Sequence, residues 1–283
     1  MRAKSIRVTS AGPVIDIVGT GGDNSKSFNI STAAAFVAAG AGVKVAKHNN
    51  RAMTSHCGSA DVLEALGMKI ELDASQVQDC LGKIGIGFMF APLFHPAMKF
   101  AAAPRREIGI RTIFNILGPL TNPALVESQV LGVPGEELGE KMAQVLQRLG
   151  SRHALVVYGL DGIDEISVAG KTRVWELKDG EITSYDVSPE DLGLAGGGVE
   201  ALLGGTPEEN AAILRSVLEG EEGPRREAVI INAAAGIVVG KKTKHPSGLT
   251  ALKEGVEIAR EAIDSGRARD KLQRLIKLSQ SFG

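Results

Sequence analysis

The stretch Val14-Ile-Asp-Ile-Val18-Gly-Thr-Gly-Gly-Asp23 decides the fold. Its first half is a short apolar run, read as a buried strand, and it breaks directly into a glycine loop. Phe28-Asn-Ile-Ser-Thr32 then leads into an alanine-rich segment, Ala33 to Ala39, which reads as a helix stopped by Gly40 and Gly42. Val43-Lys-Val-Ala-Lys47 is the next candidate strand. Strand, glycine loop, helix and strand in that order imply two parallel strands joined by a right-handed crossover. Ligands of such sheets sit at the carboxyl ends of the strands, which makes the loops after Val18 and Lys47 the first candidate sites.

Outward from this unit the pattern continues. Ser59 is placed to cap a short helix over Ala60 to Leu66, and a second helix is expected over Ser75 to Ile84, followed by a strand at Phe88 to Ala91. After Pro134, helical spacing puts Leu138, Met142, Val145, Leu146 and Leu149 on one face, with Gly150 as the stop. His153 to Tyr158 reads as a buried strand. Ser167–Val168, Arg173–Leu177 and Ile182–Tyr185 suggest an antiparallel excursion turned by Asp179-Gly180. Thr206-Pro-Glu-Glu209 is a capping box opening a helix to Glu219, and helices are expected over much of the remaining chain. Without a repeat or long linker, the chain reads as one α/β body.

Composition narrows the function classes. The 283 residues carry 32 basic and 33 acidic side chains, a net charge of −1, so no global field favours nucleic acid or an anionic membrane. The longest apolar stretch, Ala228 to Gly240, is interrupted by Asn232 and is shorter than the roughly 20 residues that span a bilayer. The lead Met1-Arg-Ala-Lys-Ser-Ile-Arg-Val8 is basic without a signal-type apolar core, which points to the cytoplasm. Cys57 and Cys80 form no metal-ligand pair and read as reduced, bland thiols. With 35 glycines and only 4% aromatic residues, loops able to wrap a ligand closely are the expected feature.

Four segments have the residue types for chemistry. Gly19-Thr-Gly-Gly-Asp23 offers backbone N–H groups to a phosphate ahead of a helix start, although a tight structural turn is about as good a reading. Lys47-His-Asn-Asn-Arg51, with Thr54 and Ser55 following, suits a phosphate-rich ligand; in isolation it would pass for a solvated loop. Asp161-Gly-Ile-Asp164-Glu165 places carboxylates at a strand end, as Mg²⁺ shared with substrate phosphates requires, and equally resembles a charged turn. Arg105 has the planar fork for a carboxylate but is also spaced for a surface pair with Glu107, and a lone His95 is more often structural than catalytic.

Taken in order, DIVGTGGD, SFNIST, KHNNR, GSADVLEALG, HPAMK, RREIGIRTIFNILGPLTNP and DGIDE resemble the anthranilate phosphoribosyltransferase family over nearly the whole chain. The resemblance implies an α/β fold of the nucleoside phosphorylase and phosphoribosyltransferase kind, a mainly parallel central sheet flanked by helices. It implies transfer of a phosphoribosyl group from 5-phosphoribosyl diphosphate to the amine of anthranilate, in tryptophan biosynthesis, with Mg²⁺. Carried over residue by residue, the phosphoribosyl diphosphate contacts fall on Gly19, Gly22, Asp23, Ser27, Asn29, Ile30, Ser31, Thr32, Lys47, His48, Asn49, Asn50, Arg51, Ala52, Met53, Thr54 and Ser55. The anthranilate contacts fall on Gly19, Asn50, His95 and Arg105, and the magnesium ligands on Ser31, Asp164 and Glu165. No general acid or base is assigned.

Two departures from the family stand out. The pattern KHGNR has Asn49 in place of glycine here; asparagine is among the residues that best tolerate left-handed backbone angles, but its side chain takes space, so the expectation is a crowded ligand site with reduced activity. Family members also carry several helices upstream of the first glycine loop, whereas this chain has a short lead. The expectation is a shortened chain: an α/β domain over 8–74 and 107–283, and a remnant of a small helical domain over 75–106. Leu81, Ile84, Phe94, Met98 and Phe100 would then be exposed, and the usual homodimer would be in question. The competing readings are an inactive shortened homologue, a nucleoside phosphorylase of the same fold, and a non-catalytic nucleic-acid-binding relative.

Overall fold

The computed structural model describes residues 1–23, 25–52, 57–98, 100, 107 and 112–282, with the backbone only at residue 115. Its strands are β1 (Ile15–Gly19), β2 (Val45–Asn49), β3 (Ile86–Phe90), β4 (Ser128–Gly132), β5 (His153–Gly159), β6 (Thr172–Lys178) and β7 (Glu181–Val187). They form one sheet in the order β3-β2-β1-β4-β5-β6-β7. The first five run parallel; β6 and β7 are antiparallel. The helices are α1 (Ile30–Gly40), α2 (Ser59–Ala65), α3 (Ala74–Lys83), α4 (Ala91–Phe94), α5 (Phe114–Leu117), α6 (Glu136–Arg148), α7 (Pro207–Leu218), α8 (Pro224–Val239), α9 (Gly248–Asp264) and α10 (Arg267–Gln280). This is the mainly parallel, helix-flanked sheet that the sequence implies.

The alanine richness of α1 has a packing cause. The helix is buried over almost its whole length and touches α8, α9 and α10, so side chains larger than methyl would hold those helices apart. Gly40 extends the same logic, since a Cβ there would lie 2.8 Å from the backbone nitrogen of Ala268 at the start of α10. The β6–β7 hairpin is set locally: Asp179 and Gly180 both have left-handed backbones, φ 47° and 93°, as a tight two-residue turn requires. In the capping box of α7, the Glu209 N–H donates to Thr206 Oγ1 at 3.2 Å and the Thr206 N–H to Glu209 Oε2 at 2.7 Å.

Several expectations need correction. Helix α1 begins at Ile30, three residues before the alanine run, and β2 continues to Asn49. Ser59 does not cap α2; Gly58 holds that position, and Asp61 accepts the N–H groups of Gly58 and Ala52 at 2.8 and 2.9 Å. On α6 the buried side is Gly139, Met142, Ala143 and Leu146, whereas Val145 and Leu149 are exposed. Gly139 lies there because Trp175 fills the space a Cβ would take, which turns the helix away from the face its leucines suggest. Ser167–Val168 belong to no strand.

The described part of 75–106 packs against the sheet. Strand β3 pairs with β2 at the edge of the sheet, and α3 packs on β3 and α10. Leu81, Ile84 and Phe94 are buried as a consequence, while Phe100 is exposed. No described helix is long and apolar enough to cross a membrane.

Candidate active site

From β1 the chain proceeds to β2 and β3 on one side of the sheet; from β4 it proceeds to β5 on the other. The crevice outside the carboxyl ends of β1 and β4 is therefore the topological switch point, where ligands of such sheets bind. The last residues of these two strands, Gly19 and Gly132, stand side by side in register. Asp164, from the loop after β5, lies over both. A Cβ on Gly19 would come within 2.3 Å of Asp164 Oδ2, and one on Gly132 within 1.6 Å of the Asp164 carbonyl oxygen. Both glycines are required by this close approach.

The glycine loop bends through Gly21 and Gly22, both left-handed, and the Gly21 N–H donates to Asp164 Oδ2 at 2.7 Å. The Asp164 N–H reaches Asp23 Oδ2 at 3.3 Å. Its neighbour Glu165 accepts the Ser31 N–H at 3.2 Å, at the start of α1. Both carboxyls are buried, at 8% exposure. Burial, with Asp23 and Glu165 nearby, pushes the Asp164 carboxyl well above the usual range. Burial raises Glu165 to about 7, with Asp23 adding to the shift and Lys47 and Ser31 opposing it.

Lys47 lies beneath this pair. Its ammonium is buried and donates to the Ile17 carbonyl at 2.5 Å and to Ser31 Oγ at 3.5 Å. Burial lowers its pKa, while Asp16 and Glu165 favour the charged form. Asp16, fully buried in β1, is itself raised to about 6 by burial despite Lys47 and a 2.7 Å hydrogen bond from Asn122 Nδ2. The crevice floor is thus a layered charge stack: Asp16, then Lys47, then Glu165 and Asp164. Asp164, Glu165 and the Ser31 hydroxyl together offer oxygen ligands, a set suited to a hard divalent cation. Bringing such a cation near would let both carboxyls ionise, which their raised pKa values resist in its absence. Among the described residues no group of three or more His, Cys, Asp or Glu forms a closed metal site.

The other expected site residues divide by what their side chains touch. Asn29 donates to the Cys57 carbonyl at 3.2 Å and accepts from Asn210 at 3.0 Å; Thr32 donates to Ser59 Oγ at 2.9 Å. Ser27 bridges to Leu203, and Ile30 is core. The Arg51 guanidinium lies against Asp61 and Glu64 at 3.0 and 2.8 Å on an exposed surface. His48 and His95 face each other with Nε2 atoms 3.1 Å apart, both buried. Burial and the neighbouring ring hold His48 down at about 3, so the pair is neutral and of complementary tautomers, one ring donating and the other accepting. Asn49 is not left-handed, as only Lys26, Leu125, Asp179 and Lys241 are among the described non-glycine residues. Its amide donates to Ser59 Oγ at 2.8 Å and accepts the Asn50 N–H at 2.9 Å. Met53, Thr54, Ser55 and Arg105 lie outside the described residues.

Sequence reasoning missed Asp16, Asn122, Gly132 and Asn210. A signal existed for Asp16, a charge inside an apolar strand, and none for Asn122, which meets it from 106 residues away.

The glycosyl transferase family, a/b domain, matches residues 11–269. An anthranilate phosphoribosyltransferase of Dehalococcoides mccartyi is 57% identical over 284 residues, covering 100% of this chain and 82% of its own length. The crystal structure of the enzyme of that name from Thermus thermophilus superposes with a TM-score of 0.92 at 47% identity, covering 99% of this chain and 82% of that one. The Saccharomyces cerevisiae enzyme in complex with PRPP and Mg gives 0.89 at 33% identity, over 99% and 77%. Likeness of this extent in both sequence and fold shows that the chain belongs to the anthranilate phosphoribosyltransferase family.

Proposed function

We propose that the chain transfers the 5-phosphoribosyl group of 5-phospho-α-D-ribose 1-diphosphate to the amine of anthranilate, releasing pyrophosphate and forming N-(5-phosphoribosyl)anthranilate, a step of tryptophan biosynthesis. The observation that carries this reading is the crevice at the ends of β1 and β4, where two glycines admit a buried acidic pair beside an amide-rich loop.

In the reaction the bond from the anomeric carbon to the diphosphate oxygen breaks and a bond to the amine nitrogen forms. Positive charge grows on the ribose ring and negative charge on the departing pyrophosphate. The Gly19–Asp23 loop, with Ser27 and the segment Asn29 to Thr32, supplies amides and the positive end of α1 to the phosphates. Lys47, His48, Asn49, Asn50, Arg51 and Ala52 are assigned to the same ligand, and the family motif assigns Met53, Thr54 and Ser55 to it as well. Lys47 acts from below, balancing Asp16 and Glu165, and the buried His48 supports the strand end. Ser31, Asp164 and Glu165 would hold Mg²⁺, a group bound by the yeast relative. Mg²⁺ supplies positive charge to the diphosphate. Anthranilate is placed by Gly19, Asn50, His95 and Arg105, the last clamping its carboxylate. Its aromatic amine is neutral near pH 7, so alignment replaces base catalysis. We place the enzyme in the cytoplasm, as a homodimer if the helical segment within 75–106 suffices for the interface.

The test follows loss of anthranilate fluorescence together with pyrophosphate release, with Mg²⁺ and phosphoribosyl diphosphate present. Stoichiometric coupling of the two signals is expected. Pyrophosphate release that is indifferent to anthranilate would overturn the assignment of the acceptor.

A further inference from the structure

Asn232 interrupts the longest apolar run of the chain, and the fold buries it completely within α8 among Ala228, Ile231, Ala235 and their neighbours. A buried amide is costly unless its donors and acceptor are satisfied. Here every one of them is. Oδ1 accepts the Ile166 N–H at 2.9 Å, while Nδ2 donates to the Ile166 carbonyl at 3.0 Å and to the Ala228 carbonyl at 2.9 Å. The side chain thus grips both polar groups of one residue, as a neighbouring strand would. That residue directly follows Asp164 and Glu165.

The need for such a grip follows from crowding. Asp164 and Glu165 are consecutive, buried and close to Asp23, so three carboxyls must keep their directions within a small volume. On the crevice side Asp164 accepts the Gly21 N–H and donates its own N–H to Asp23, and Glu165 accepts the Ser31 N–H. On the core side the Gly159 N–H donates to the Ile163 carbonyl at 2.9 Å ahead of the pair; behind it Ile166 is buried, but apolar packing has no directional preference for a peptide plane. Hydrogen bonds to both faces of the Ile166 peptide units supply that direction. A leucine at 232 would satisfy the apolar surroundings of α8 and leave the Ile166 N–H and carbonyl unpaired.

We infer that Asn232 is the positioning residue of the carboxylate pair: by fixing Ile166 from α8 it keeps Asp164 and Glu165 directed into the crevice and thereby sets the affinity of the site for a divalent cation. This rests on the reading of Asp164 and Glu165 as cation ligands. Asn232 touches neither substrate nor cation.

The test measures Mn²⁺ binding to the metal-stripped full chain, from the spin-resonance signal of free Mn²⁺, for the parent, Asn232→Leu, Asn232→Ser, Val239→Ala and Glu165→Gln. Mn²⁺ takes the same oxygen ligands as Mg²⁺. Thermal midpoints are recorded for each. Asn232→Leu and Asn232→Ser are expected to weaken Mn²⁺ binding by roughly tenfold, the scale typical of lost outer-shell support for ligands, with the serine variant available should leucine prevent folding. Val239→Ala removes methyl groups from the same helix and should lower the thermal midpoint while leaving Mn²⁺ affinity at the parent value. The inference is overturned if the folded Asn232 variants bind Mn²⁺ as the parent does, or if Val239→Ala weakens binding as much as they do. Unchanged binding by Glu165→Gln would instead remove the ligand assignment beneath it, a separate failure visible in that variant alone.

Discussion

Two buried acidic sites in this molecule contrast sharply. Glu176, in β6, is as withdrawn from water as Asp164 and Glu165, yet each of its oxygens is matched: Oε1 meets His153 Nε2 at 2.8 Å, and Oε2 accepts from the Tyr185 hydroxyl and the Gly248 N–H, both at 3.0 Å. It ties β5, β6, β7 and the start of α9 together. The Asp164–Glu165 pair has the opposite surroundings, with two carboxyls beside a third, and raised pKa values. A protein folded for stability alone would build the first arrangement everywhere. Under the proposed function, the second persists at the switch point of the sheet because its partner arrives with the substrate.

The contrast breaks most readily at Asp164. Asp164→Asn keeps an acceptor for the Gly21 N–H and removes a carboxyl whose ionised form the buried site disfavours. Activity is expected to fall on the order of 10³-fold, the scale of a lost electrostatic group at a reacting centre, while the thermal midpoint holds or rises. A midpoint falling in step with activity would show that the two acidic sites are alike after all.

Glu176→Ala should do the reverse. Removing one member of a buried, fully bonded group costs about 3 kcal/mol of unfolding free energy, measured by urea titration. The kcat of the folded fraction should stay within about twofold of the parent, since no element of the crevice is touched. A large drop in kcat would tie the hairpin to catalysis.

Acidity sharpens the comparison further. A carboxyl whose folded pKa exceeds its unfolded value lends stability that is complete below the unfolded value and lost as pH rises through the folded one. Glu165, at about 7, is in this class, with Asp164 and Asp16. His48, held down at about 3, works against the fold below the unfolded imidazole value, so the carboxyls are seen cleanly on the alkaline side. With metal chelated, stability should fall by roughly 1 kcal/mol between pH 6.5 and 8 from Glu165, and Mg²⁺ should restore more at pH 8 than at 6.5. A flat profile in chelator would contradict the raised values.

The smallest effect is expected at Asn49. Because its side chain fastens Asn50 and Ser59, Asn49→Gly should raise the KM for phosphoribosyl diphosphate by about threefold through a looser strand end. A lower KM would restore the crowding that the sequence suggested.

Where the causes are local, the sequence was legible. The strand, glycine loop and helix at Val14 to Ala39, the Asp179-Gly180 turn and the Thr206–Glu209 box each depend on residues a few positions apart, and their rules apply to the chain before it folds. The motifs around Gly19, Lys47 and Asp164 likewise stood out by residue type, and the family followed from their order.

What only the tertiary structure decided are meetings across long separations. Sequence placed Asp164 and Glu165 on a loop; folding set Asp164 over Gly19 and Gly132 and so explained both glycines. It turned Arg51 towards α2, paired His48 with His95, and set Asn122 against Asp16 and Asn232 against Ile166. The physical reason is common to all of these. Propensity and spacing act along the chain, but the energy of a buried charge or amide depends on which groups packing brings within hydrogen-bond reach, and that is settled only when the sheet and its helices close.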